Sequence, residues 1–298
     1  MINQSGLNSS WTDSLTNNKI PDGTNLVDHL RNVHKEFTGF TENCASACRD
    51  KNGRNSYEWL SDIVPNKAGA RILDLACGSG LLLKILYNRQ INLNLKGVDM
   101  SSEELSLART RLPDNVDLLE LKAQDLNLIN DESMDYVLCH WALTLMDPVS
   151  PVLNEVRRIL TPKGVFAALV DGPIEAASAY SDAHDLIYGY VQKELPNYGN
   201  IDLGDPRIRG TDSLTKLVSE IFPQAKVTVE TSTVSMEGPI EQIAETAAGF
   251  FYAAFVLPDE RKKNMLSDLC NLLSTSNQNN NKQGRFTMPI NRLLVTPN

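Results

Sequence analysis

Leu73-Asp74-Leu75-Ala76-Cys77-Gly78-Ser79-Gly80 is the stretch whose reading decides the fold. Arg71 to Ala76 is a short apolar run ending at glycines, and helical spacing resumes from Leu81 to Tyr87. A strand, a glycine turn and a helix form the arrangement that binds a nucleotide-like ligand at the carboxyl end of a parallel sheet. Glycines let the backbone approach the ligand, and the following helix points its first N–H groups inward. Asp99 lies 19 residues beyond Gly80, at the end of the next predicted strand, Leu95 to Asp99. A carboxylate there accepts hydrogen bonds from ribose hydroxyls.

A dinucleotide site uses the same layout, and two residues separate the readings. The dinucleotide fingerprint places a small residue three beyond its second glycine, where helix and strand pack closely. Here that residue is Leu83. Asp74, four residues before Gly78, would repel a pyrophosphate but can serve a cationic amino-acid ligand, directly or through water. S-adenosylmethionine carries a sulfonium and an ammonium group and no phosphate, so both departures favour it.

Working outward, strand and helix alternate from Arg71 to Asp171. Ser101 and Glu104 form a candidate capping box opening a helix through Leu112. Val116 to Ala123 and Asp135 to Cys139 read as the third and fourth strands. Pro151 to Leu160 reads as a helix, stopped by Thr161-Pro162-Lys163-Gly164 before a fifth strand, Val165 to Val170. This rhythm implies right-handed crossovers and a parallel sheet covered on both faces. Upstream, residues 1–22 are polar and read as a flexible tail. Helices follow at Leu26 to Phe37, Phe40 to Cys48 and Ser56 to Ile63, making residues 23–66 an N-terminal helical lid. Downstream, Ile174 to Leu195 and Leu214 to Phe222 read as helices, and Val227, Val229 and Thr231 alternate along a sixth strand. Long helices at Ile240 to Val256 and Asp259 to Leu273, an Asn-rich loop at 275–284 and a final strand, Ile290 to Thr296, complete the chain. The expected fold is therefore α/β, a Rossmann-like, seven-stranded, mostly parallel sheet with helices on both faces. Residues 67–298 form that domain, with helical cap segments near 173–213 and 238–284, the latter inserted between strands 6 and 7.

At this point the chain resembles the class I S-adenosylmethionine-dependent methyltransferases. Leu73 to Gly80 is similar to their glycine-rich motif, with Ala76 where many members have a first glycine. Val98-Asp99-Met100-Ser101 resembles the second motif, whose acid binds the ribose. Ala123-Gln124-Asp125-Leu126 is similar to the segment flanking adenine, and Asp135 to His140 to the fourth strand. Leu160 to Gly164 is similar to the turn before the fifth. The resemblance implies S-adenosylmethionine as cofactor, S-adenosylhomocysteine as product, and a site built from Asp74, Ala76, Cys77, Gly78, Gly80, Asp99, Met100, Gln124, Asp125, Leu126 and Cys139. In that site Asp125 would accept from the adenine amino group, with backbone and apolar contacts from Gln124 and Leu126.

Methyl transfer from a sulfonium is an in-line displacement, so positioning supplies much of the rate, and a base is needed only if the acceptor must lose a proton. His140, at the carboxyl end of the fourth strand, is the candidate base, with packing as its alternative. Tyr57, His140 and Trp141 are candidates for the acceptor pocket, with core packing the alternative for Trp141 and closure over the cofactor a further reading of Tyr57. His34 lies on the apolar stripe of the first long helix and reads as structural, His29 as solvent-facing, and His184 as within reach of the pocket. Tyr180, Tyr188, Tyr190, Phe250, Phe251 and Tyr252 lie in segments that often form a lid in this family, and ordinary helix packing explains most such residues.

The chain has 298 residues and a net charge of −9. That balance argues against a phosphate backbone as partner and for a small molecule. The N-terminus has no apolar signal region and no stretch is long enough to span a bilayer, which points to the cytoplasm and against a membrane partner. The five cysteines then read as reduced thiols. Cys44 and Cys48 lack a second ligand pair, so no metal is expected. The expected activity is methylation of O, N or C on a metabolite, by a monomer or homodimer. The alternatives are a quinone-type C-methyltransferase, a fold relative catalysing rearrangement or cyclisation, and a regulatory protein that only binds the cofactor.

Overall fold

The computed structural model describes residues 6–89, 92–199, 203–275 and 282–298. In chain order the first helices are α1 (Ser10–Thr16), α2 (Gly23–Glu36), α3 (Phe40–Ala47), α4 (Ser56–Ser61), α5 (Leu81–Arg89) and α6 (Ser102–Arg109). They are followed by α7 (Ser150–Ile159), α8 (Ser178–Glu194), α9 (Thr211–Ile221), α10 (Ile240–Ala248) and α11 (Asp259–Leu273). The strands are β1 (Arg71–Leu75), β2 (Asn94–Asp99), β3 (Asp117–Glu120), β4 (Met134–His140), β5 (Leu160–Asp171), β6 (Ala225–Pro239), β7 (Ser274–Thr275) and β8 (Gln283–Pro297). The chain divides into two compact units.

The sheet unit comprises residues 54–173, 203–232 and 290–298. Its strand order is β3-β2-β1-β4-β5-β8-β6. The strands from β3 to β5 pair in parallel, and β8 runs antiparallel beside β5. This is the expected Rossmann-like sheet; the strand beyond the expected seven is the two-residue β7. Alternation along the strands fixes which side chains share a face. Leu73, Leu75, Val98, Val137, Cys139, Phe166, Ala168 and Val170 belong to one core cluster, closed by Val152, Leu153, Val156 and Ile159 of α7. Asp74, Asp99, His140 and Asp171 therefore point to the opposite face, and the registers Asp74↔Gly97, Asp74↔Leu138 and His140↔Leu169 carry that face across the sheet. β5 starts at Leu160 because a register shift between Met134 and Tyr136 absorbs the Thr161–Gly164 turn within the strand.

The helical unit comprises the described residues of 1–53, 174–202 and 233–289. Within the segment expected as a flexible tail lies a helix: a capping box of Ser9 and Thr12 opens α1, which buries Trp11 and Leu15. His29, expected at the surface, is buried beneath it, its Nδ1 2.9 Å from the Ser9 hydroxyl and its ring stacked on Trp11. A tail without α1 would leave His29 uncovered, which is why its helix position alone suggests solvent. The expected helix 240–256 breaks at Gly249, a poor helix former, and Phe251 turns extended before a short 3₁₀ segment, Tyr252–Val256. His34 is structural, its Nε2 3.0 Å from the Tyr252 hydroxyl and its ring against Phe40.

Candidate active site

The glycine loop takes a shape that its sequence only partly suits. Ala76, Gly78 and Gly80 all have positive φ, at 56°, 50° and 81°. Ala76 thus occupies the left-handed region at a cost of about 1–2 kcal/mol, which is the physical reason a glycine suits this position. A Cβ on Gly80 would lie 2.8 Å from Leu112 Cδ1 and 3.1 Å from Ala108 Cβ, so only glycine lets the loop reach the end of α6. The Cys77 N–H donates to the Val98 carbonyl at 2.9 Å, tying the loop to β2.

Three carboxylates converge on this loop. Asp99 Oδ2 accepts the Gly78 N–H and Oδ1 accepts the Ser101 N–H, both at 2.8 Å. Ser101 caps α6 by accepting the Glu104 N–H, and buried Glu104 would stand 3.9 Å from a Cβ on Gly78. Asp74 is 1% exposed, and neither of its oxygens has a hydrogen-bond partner. Burial and then the charge of Asp99 hold its carboxyl well above the usual range. A buried, unsatisfied carboxyl is costly unless a partner arrives, and here that partner must be a donor or a cation. Cys77 is buried among the same acids, and its thiol is pushed up by burial first and by Asp74 second. The cradle suits an ammonium- and sulfonium-bearing ligand and opposes a pyrophosphate.

The adenine-flanking residues divide. Gln124 is half-buried and Asp125 exposed in a turn, where the Asp125 N–H donates to the Lys122 carbonyl at 2.9 Å. Met100, half-buried, joins Asp99 to the cap of α6. Leu126 and Cys139 differ from expectation, because both side chains pack in the core. Alternation turns Cys139 to the face opposite His140, and burial raises its thiol to about 12. The Leu126 backbone is taken up by α7, its N–H donating to Glu155 at 2.9 Å and its carbonyl accepting from Arg158 at 3.0 Å.

At the carboxyl ends of β4 and β5 the structure brings together Tyr57, His140 and Trp141. Tyr57 lies on α4, which belongs to the sheet unit and not to the expected lid. Two arginines hold α4 in place: Arg292 on β8 donates to the Trp59 carbonyl at 2.7 Å and stacks on its ring, and Arg89 donates to the Ser61 carbonyl at 3.0 Å. The Tyr57 ring stacks on His140 with centroids 3.5 Å apart, and His140 Nε2 lies 2.9 Å from the Ser56 hydroxyl. Burial drives the His140 imidazole down to about 3. A ring so placed is neutral at pH 7, and burial weakens it as a proton acceptor. Trp141 has φ 58°, and its Nε1–H donates to Asp171 Oδ1 at 2.7 Å. Asp171, an acid ending the fifth strand before Gly172-Pro173 as Asp99 ends the second, is a further candidate that carries the same local signal. His184 sits in the helical unit, stacked on Tyr188 and 3.0 Å from Asp185. Tyr180 and Phe251 stack there as well.

A parallel sheet with a glycine loop after β1, an acid after β2 and an antiparallel β8 defines a Rossmann-like ligand-binding domain. Residues 73–168 match the methyltransferase domain family. The ubiquinone/menaquinone biosynthesis C-methyltransferase UbiE of Campylobacter jejuni is 29% identical over 140 residues, 45% of this chain and 57% of that protein. The malonyl-[acyl-carrier protein] O-methyltransferase of Pectobacterium atrosepticum is 31% identical over 152 residues, 49% of this chain and 58% of that protein. This chain thus spans somewhat more than half the length of these curated relatives. The solved YcgJ protein of Bacillus subtilis shares the fold, with a TM-score of 0.56 at 16% identity, covering 81% of this chain and 97% of that one. Residues 73–168 thus resemble a methyltransferase domain, set in a Rossmann-like fold shared with YcgJ.

Proposed function

We propose that this chain transfers a methyl group from S-adenosylmethionine to an O, N or C atom of a small-molecule metabolite in the cytoplasm. The observation that carries the reading is Asp74, a buried carboxyl with two unpartnered oxygens, beside Asp99 and a left-handed glycine loop. Asp74 would meet the positive end of the cofactor, and Asp99 the ribose. When bound, the cofactor supplies an electrophilic methyl on sulfur. The chain's own residues do the rest. The loop fixes the cofactor, while Tyr57, neutral His140 and Trp141 wall the acceptor and exclude water, so that positioning lowers the barrier. The net charge of −9 supports a small acceptor rather than nucleic acid.

A second reading, C-methylation of a quinone-type acceptor, is supported by the UbiE relative. Transfer of label from methyl-labelled S-adenosylmethionine to the small-molecule fraction of a bacterial extract tests the first reading, and position of the label separates it from the second. Binding of cofactor with no labelled product would contradict both.

A further inference from the structure

The face of the sheet that carries Asp74, Asp99 and His140 has a fourth polar residue at its carboxyl edge, Asp171. On β5, Phe166, Ala168 and Val170 enter the core, so Ala167, Leu169 and Asp171 face the other way. With His140 beside Leu169, Asp171 stands one step further toward the edge where ligands of such sheets bind. Asp171 keeps part of its surface accessible. Its Oδ1 holds the Trp141 indole at 2.7 Å, and Trp141 is fixed by its own N–H to the Leu169 carbonyl at 2.9 Å in a left-handed backbone. Strain of that kind on a bulky residue collects at functional sites. The charged group acting on Asp171 is Arg209, which donates to the Leu203 carbonyl at 2.8 Å.

We propose that Asp171, rather than His140, takes the proton of the methyl acceptor, and that the acceptor presents a hydroxyl or an amine N–H to its carboxylate. This rests on the methyl-transfer reading above. The acceptor heteroatom forms a bond to the methyl carbon, the carbon–sulfur electron pair leaves with sulfur, and the acceptor proton moves to Asp171. Exchange with water then restores the carboxylate. The chemistry of the two neighbours supports this order. Burial lowers His140 to about 3, whereas burial raises Asp171 above its ordinary 3.8, opposed by the Trp141 hydrogen bond and then by Arg209. Burial thus disfavours the charged form of each, weakening His140 as a proton acceptor and favouring the protonated form of Asp171.

Asp171→Asn tests the proposal, because the amide oxygen still accepts the Trp141 N–H and preserves the wall while losing the proton site. The assay is label transfer from S-adenosylmethionine to the small-molecule fraction of a bacterial extract, followed across pH. Wild type should lose rate on the acid side with a single proton, and Asp171→Asn should be slower by about 100-fold or more without that acid limb. Two readouts stand apart from turnover. S-adenosylhomocysteine affinity by calorimetry should change less than about threefold. Tryptophan fluorescence should show an acid transition at the same pH as the rate, absent from both Asp171→Asn and Trp141→Phe. Retention of turnover within threefold, survival of the acid limb in Asp171→Asn, or label found on carbon would overturn the proposal. No transfer by wild type that still binds S-adenosylhomocysteine would instead overturn the methyl-transfer reading, and the proposal with it.

Discussion

The carboxyl ends of β1 and β2 and those of β4 and β5 lie on the same face of one sheet but are built by different means. At β1 and β2 the site is backbone geometry, with left-handed loop residues and one carboxylate accepting two N–H groups. At β4 and β5 it is side-chain packing, with Tyr57 on His140 and Trp141 on Asp171. The first needs particular residue types at fixed offsets. The second needs only that residues distant in sequence meet. On the proposed function, the first would hold the cofactor, a ligand of constant shape, and the second the acceptor.

That contrast predicts unequal costs of substitution. The largest effect belongs to the loop: Gly80→Val forces a side chain into Leu112 and Ala108 at φ 81°, and about 3 kcal/mol of stability should go with all measurable cofactor affinity. Denaturant unfolding and calorimetry check both. Asp99→Ala should weaken S-adenosylhomocysteine by roughly 1.5–3 kcal/mol per charged hydrogen bond lost, less what water restores. Unchanged affinity would show the ribose acid to be misassigned.

A smaller effect separates the β4 edge from the loop. His140 is protonated at about 3 in the folded protein and near 6.5 when unfolded, so the unfolded chain takes up its proton first and stability falls as pH drops from 6.5 toward 3. His140→Gln should therefore spare the sheet unit about 2 kcal/mol of the loss between pH 6.5 and 5, measured by urea unfolding. An identical pH slope in the variant would place the titration elsewhere. His29, lowered to about 4 by burial, gives the helical unit the same sign. The smallest effect is Ala76→Gly, which relieves left-handed strain but adds chain entropy, for a net gain of about 0.5 kcal/mol in thermal unfolding.

The same contrast explains what could be read from the residues alone. The strand, turn and helix around Leu73 to Gly80 were legible because glycine placement reflects local backbone demands. The stripe of Val152, Leu153, Val156 and Ile159 was legible because it repeats at helical spacing. Cys139 and Leu126 were misassigned because proximity in sequence to a binding edge does not say which face a side chain takes. Ser56 against His140, 84 residues apart, and Arg292 against Trp59, 233 apart, are tertiary facts with no local signature. The α1 helix was hidden by its polar composition, although Ser9, Thr12, Trp11 and Leu15 carried a cap and two apolar anchors.

The most direct test of the central claim is a calorimetric titration of the wild-type chain with S-adenosylhomocysteine and, separately, with NAD. One equivalent of S-adenosylhomocysteine should bind, Asp99→Ala should bind it at least tenfold more weakly, and NAD should give no heat of binding. Saturable binding of NAD with none of S-adenosylhomocysteine would contradict the account.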